Sequence, residues 1–135
     1  VNSATLSEIL GRLSRAIHTR DLPGLMSQFC ATPTATYAGS EFGEIATGGY
    51  ALGQLFRELF ARDDCYSFTF PQQSFREAAG VAWVLADGTG TEHRDKGELE
   101  NFPYRITGVL VQECQTWKWE LLAGSEPRPA LSAPR

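Results

Sequence analysis

The 135-residue sequence predicts a single α+β domain, with helices first and a sheet after them. Three observations predict it. The length fits one domain, which at this size hides about two-thirds of its unfolded surface. Apolar side chains recur at helical spacing in segments up to Phe60, and beyond it the pattern alternates with period two. The later strands are also apolar on both faces, so both faces of that sheet need a cover.

The first helix is expected over Thr5 to Thr19. Leu6, Ile9, Leu10, Leu13, Ala16 and Ile17 form its apolar stripe, while Glu8, Arg12, Arg15 and Arg20 face away. Asp21 reads as the N-cap of a short second helix, with Pro23 in its first turn and Leu22, Leu25, Met26 and Phe29 as its apolar positions. Thr34 to Ala38 and Phe42 to Thr47 then pair as a hairpin. Gly48-Gly49 break the chain before a third helix, whose stripe is Leu52, Leu55, Phe56, Leu59 and Phe60 and which ends near Arg62-Asp63. Tyr66, Phe68 and Phe70 alternate with Ser67 and Thr69 on the next strand, and Gly80 to Ala86, Tyr104 to Gln112 and Thr116 to Ala123 complete the long strands. Asp87 to Pro103, rich in Gly, Thr and charge, is expected to be a loop or a frayed hairpin. The domain is expected to span residues 1 to 126. Residues 127 to 135, with three prolines, read as a flexible tail that cannot bury enough surface to order itself.

Val81, Trp83 and Leu85 share one strand face, yet Ala82, Val84 and Ala86 make the other apolar too. Helices cover one face of a sheet. A second copy of the chain is the simplest cover for the other, so a homodimer through the long strands is expected. Burial on both sides within one subunit is the alternative.

Composition excludes several functions. Sixteen acids against twelve bases give a net charge of −4, which works against a grip on nucleic acid. No apolar run approaches the roughly 20 residues that span a bilayer, and Val1 to Leu6 show no signal-peptide pattern. Cys30, Cys65 and Cys114 are odd in number and widely spaced, so reduced thiols in a cytoplasmic setting are expected.

The order helix, helix, strand pair, helix, long antiparallel strands resembles the cystatin-like α+β roll of ketosteroid isomerase, scytalone dehydratase and nuclear transport factor 2. Within that superfamily the chain resembles SnoaL-like proteins. The residues that carry the likeness are Val81-Ala82-Trp83-Val84, Tyr104-Arg105-Ile106-Thr107-Gly108-Val109-Leu110, Trp117-Lys118-Trp119 and Gly124-Ser125-Glu126-Pro127, with the Asp21-Leu22-Pro23-Gly24-Leu25 turn. The likeness covers roughly residues 5 to 127. It implies three helices packed on a strongly curved, mainly antiparallel sheet, a cone-shaped cavity between them, and dimers joined through the convex sheet faces. Many such proteins carry a histidine two residues before the serine of the last strand; here that position is Ala123.

His18 and His93 have no partner at metal-ligand spacing, so no metal is expected. No nucleophile elbow, phosphate loop or dinucleotide fingerprint is present, and Gly88-Thr89-Gly90 leads into no helix, so no cofactor is expected either. General acid–base chemistry is the remaining enzymatic option. It needs a carboxylate and a hydrogen-bond donor facing one apolar cavity. The carboxylates available are Glu41, Glu44, Asp87 and Glu113; the donors are Tyr37, Tyr66, Tyr104 and Arg105. Asp87, by its parity with Trp83 and Leu85, and Tyr37, on the short strand beside the implied cavity, are the candidate catalytic pair. The resemblance sets the cavity between the first and third helices and the concave sheet, which makes Leu13, Ile17, Tyr37, Phe56 and Trp83 the candidate walls, with Arg105 as a polar contact. Two functions fit. One is a homodimer that binds an apolar small molecule; the other is a cofactor-free isomerase, cyclase or dehydratase of a hydrophobic carbonyl compound. No acid is embedded in an apolar stretch, which favours binding.

Overall fold

In the computed structural model, which describes residues 1 to 129, three helices precede and flank one six-stranded sheet. Helix α1 runs Ser3–His18, capped by the Asn2 side chain, which accepts from the Thr5 amide at 2.8 Å. It buries Leu6, Ile9, Leu10, Leu13 and Ala16. Helix α2, Leu22–Met26, starts where Asp21 accepts from the Gly24 amide at 3.0 Å. Strands β1 (Thr36–Ala38) and β2 (Ile45–Thr47) form the expected hairpin, and α3 (Gly49–Phe60) follows with Leu52 and Phe56 buried.

The long strands are β3 (Cys65–Ala78), β4 (Val81–His93), β5 (Leu99–Glu113) and β6 (Thr116–Ser125). Their order is β2-β1-β6-β5-β4-β3, antiparallel throughout except for the β1–β6 pair. Irregular register at Thr69/Gln72 and at Val109/Leu110 bends the edge strand β3 and the interior strand β6, because a bulge adds length to one strand of a pair. The sheet therefore curls over the helices. Helix α1 lies along β3, where the Ser14 hydroxyl accepts from the Phe68 amide at 2.8 Å. Trp119, fully buried, joins β6 to the chain after α2, accepting from the Cys30 amide at 2.9 Å and donating to the Gln28 carbonyl at 2.8 Å.

Residues 87 to 103 correct the sequence reading. They are mostly strand: β4 and β5 stay paired from Val81↔Val111 to His93↔Leu99 and turn only through the short 3-10 segment Asp95–Gly97. Glycine and threonine suggest a loop there because Gly90 brings no side chain to the sheet. Rings from the neighbouring strands fill the gap, and a Cβ on Gly90 would lie 2.3 Å from the Phe102 ring.

The two strand faces part company. Ala82, Val84, Ala86, Ile106, Leu110 and Leu122 are buried in the core on the concave side. Val81, Trp83 and Leu85 stay 45%, 46% and 39% exposed on the other. No helix among the described residues is long and apolar enough to cross a membrane. Pro127 to Pro129 carry no regular structure, and the rest of the expected tail, residues 130 to 135, lies outside the described residues.

Candidate functional site

A cavity of about 340 Å³ opens between the concave sheet and the three helices. Its floor is apolar: Leu13 and Ile17 from α1, Leu25 from α2, Phe56, Leu59 and Phe60 from α3, and Leu122 from β6. These positions follow from the helical stripes, whose inner edges have nowhere else to point. Phe56 anchors the floor, its ring 5.6 Å from Phe29 and edge-on to Tyr37 at 5.1 Å.

Three polar side chains converge above that floor. Tyr37 on β1 donates its hydroxyl to Glu44 Oε1 at 3.0 Å, and Tyr104 on β5 lines the same space. Two glycines make the approach possible. A Cβ on Gly39 would sit 1.8 Å from Glu44 Oε1, and one on Gly124 would sit 1.9 Å from the Tyr104 hydroxyl. The exposed rim carries Glu41, Arg62, Glu100 and Glu126, and Arg62 Nη1 holds both Glu41 oxygens at 3.1 and 3.2 Å.

The electrostatics follow from burial. Partial burial pushes the Glu44 carboxyl above the ordinary glutamate value, and the charge of Glu41 adds to this; the Tyr37 hydroxyl and Arg62 pull the other way without cancelling it. Burial, with the charge of Glu44 and the neighbouring Tyr104, drives the Tyr37 phenol well above its usual value. Burial and Glu44 push Tyr104 up to about 12. Both phenols therefore remain protonated donors at neutral pH, beside a carboxylate that holds its proton more readily than usual. A base, two phenol donors and an apolar bed are the elements of proton transfer at a carbon next to a carbonyl.

A model of the SnoaL-like domain matches residues 6–129. The chain belongs to the SnoaL-like domain family. This SnoaL-like chain also superposes on solved structures. A candidate dehydratase of the NTF2-like family from Streptomyces avermitilis matches with a TM-score of 0.80 at 13% identity, over 92% of this chain and 95% of that one. ActVI-ORFA from Streptomyces coelicolor matches at 0.76 and 16%, over 91% and 95%. A protein of unknown function with a cystatin-like fold from Nostoc punctiforme matches at 0.74 and 15%, over 92% and 90%. At such identities the likeness shows the fold alone. No curated protein matches the chain.

Of the residues singled out from sequence, Leu13, Ile17, Tyr37 and Phe56 line the cavity of this SnoaL-like chain. Trp83, Asp87 and Arg105 do not. Trp83 belongs to the outer face, and the shared parity that linked Asp87 to it carries Asp87 outward as well. Arg105 pairs in register with Asp87 and grips it there, Nε to Oδ1 at 2.6 Å and Nη2 to Oδ2 at 3.3 Å. This cross-strand ion pair lies on the side away from the cavity. Ala123 shares register with Ala38 and Thr107 on that same outer side, so a histidine at this position would not enter the cavity here.

Glu44 stood among the available carboxylates, and its signal lies in the hairpin register. Tyr37 pairs with Ala46, and Glu44 shares the parity of Ala46, so the two polar groups meet diagonally on one face. The fold also brings together His18 and His93, whose rings lie 4.7 Å apart beside Cys65, with Cys65 Sγ 3.5 Å from His18 Nδ1. Among the described residues, no three His, Cys, Asp or Glu side chains are arranged to hold a metal ion.

Proposed function

We propose that this SnoaL-like chain binds a small apolar carbonyl compound in the cavity and moves a proton on it without a cofactor. The observation that carries this reading is Glu44, partly buried with a raised pKa and bonded to Tyr37 at the edge of the apolar floor. Glu44, partly buried beside the apolar floor, supports proton transfer over binding alone.

Tyr37 occupies Oε1 of Glu44 and leaves Oε2 to the substrate. In the proposed step Oε2 takes the proton from the carbon next to the carbonyl, and the C–H electron pair passes into the carbonyl to form an enolate. The Tyr104 hydroxyl donates to the developing oxyanion. Glu44 then returns its proton, either to another carbon, which isomerises the compound, or to a departing β-hydroxyl, which releases water. Such general acid–base assistance contributes about 10²–10⁴-fold. The Streptomyces avermitilis neighbour, a candidate dehydratase, shows that this reaction class has been assigned to the same fold.

The test is deuterium exchange at the carbon next to the carbonyl of an apolar bicyclic ketone such as 2-tetralone, followed by proton NMR in D₂O. The wild type is expected to accelerate exchange and Glu44→Gln to lose it while still binding the ketone. Equal exchange in both, with binding retained, would leave a binding protein only.

The outer sheet face supports a homodimer. Val81, Trp83, Leu85 and Leu121 are exposed there on neighbouring strands, and such a contiguous apolar surface is unusual on a monomer. Light scattering at micromolar concentration tests this, and a monomeric mass would count against it.

A further inference from the structure

The charge of the chain is not spread evenly. Of its sixteen acids and twelve bases, six acids and two arginines line the cavity, so the rest of the chain holds ten of each. Counting Arg94, which bridges two of those acids, three of the four excess negative charges sit around one opening. Glu41, Glu44, Asp64, Glu92, Glu100 and Glu126 are the acids, Arg20 and Arg62 the bases. Part of this is neutralised locally: Arg62 grips Glu41, and Arg94 bridges Glu92 and Glu100. Asp64, Glu44 and Glu126 have no ion-pair partner among the described residues; Glu126 accepts only from Ser40, at 3.2 Å. Arg20 spends its guanidinium on the Asp64 backbone carbonyl at 2.6 Å.

Aromatic rings stand among these acids. Tyr66, Phe102 and Tyr104 line the cavity, with Tyr66 edge-on to Phe102 at 6.0 Å and Phe102 edge-on to Tyr104 at 6.0 Å. Ring faces and carboxylates attract the same kind of group, a cation, and repel an anion. A cleft lined by one sign of charge over low-dielectric walls concentrates that field.

Resting on the cavity reading above, we infer that the compound it takes carries a basic amine on the end that reaches the mouth, and that carboxylate- or phosphate-bearing compounds are excluded. The apolar body lies on Phe56 and Leu122, and the ammonium lies among Tyr66, Phe102, Asp64 and Glu126.

Three naphthalene probes of one shape test this: 2-(aminomethyl)naphthalene, 2-naphthalenemethanol and 2-naphthoate, titrated calorimetrically into the full chain at pH 7 in low salt. The amine is expected to bind at one site per chain, about tenfold or more tighter than the acid, with the alcohol between them and able to displace the amine. Raising salt to about 0.5 M should narrow the spread, since exposed rim charges are screened over a few ångström there. The double variant Asp64→Asn, Glu126→Gln should lower the amine-to-acid ratio by about threefold or more. If the acid binds as tightly as the amine, or the alcohol fails to displace the amine, the inference is overturned while the cavity reading stands. If none of the three binds, both fall.

Discussion

The two faces of the sheet each hold a carboxylate paired to a donor, and the pairs behave in opposite ways. On the outer face Asp87 meets Arg105 in the open, and the guanidinium's hydrogen bonds and charge hold its carboxyl below the ordinary aspartate value. On the inner face Glu44 meets a phenol instead of a cation, partly out of water, and its carboxyl is pushed up. Solvent and a full counter-charge leave the outer pair content as it is. Burial leaves the inner one readier to accept a proton, because the neutral phenol pulls its pKa back less than burial raises it. The lesson is that a carboxylate's partner and its access to water decide whether it can do chemistry.

The largest expected contrast between the faces is catalytic. Glu44→Gln should reduce ketone exchange by about 10²–10⁴-fold, whereas Asp87→Asn should leave it within about twofold. A loss with Asp87→Asn would break the division of labour between the faces. Next comes assembly. Trp83→Asp, which puts a charge on the outer apolar surface, is expected to halve the mass seen by light scattering while ketone binding persists. Gly124→Ala sharpens the inner side: its methyl would collide with the Tyr104 hydroxyl, and displacement of that phenol is expected to weaken probe binding about tenfold and to destabilise the fold by about 1–3 kcal/mol.

The smallest effect is in pH-dependent stability. Because the folded pKa of Glu44 is raised, the stability it lends is full below its unfolded value and is lost as pH rises through the folded one. Glu44→Gln keeps the acceptor for Tyr37 and carries no charge. It should match the wild type in acid and melt about 1–2 °C higher at neutral pH, a modest gain because Glu44 is only partly buried. Asp87 has the opposite sign: its contribution is present above its unfolded value and fades as pH falls through the folded one. Thermal melts of both variants across pH check the two directions.

Much of this was legible in the residues. The helical stripes turned Leu13, Ile17 and Phe56 inward and the family resemblance put a cavity beside them, and the Asp21 cap and the hairpin after it formed as expected. The two-sided strand pattern correctly marked a second apolar face, but parity alone does not say which face the helices cover. The structure turns Trp83, Asp87 and Arg105 to the face that the helices leave bare. The 87–103 segment was obscured for another reason: its glycine is covered by rings from neighbouring strands, and cross-strand filling is invisible within a single run of sequence. Glu44 needed the hairpin register, which sets its distance to Tyr37.

Titration of the side-chain carboxyl carbons by NMR, assigned with Glu44→Gln and Asp87→Asn, tests the contrast between the faces most directly. Glu44 is expected to titrate above the ordinary glutamate value of about 4.3 and to move when 2-naphthalenemethanol is added, while Asp87 titrates below about 3.9 and does not respond. A Glu44 that titrates at or below the ordinary value, indifferent to the probe, would contradict the account.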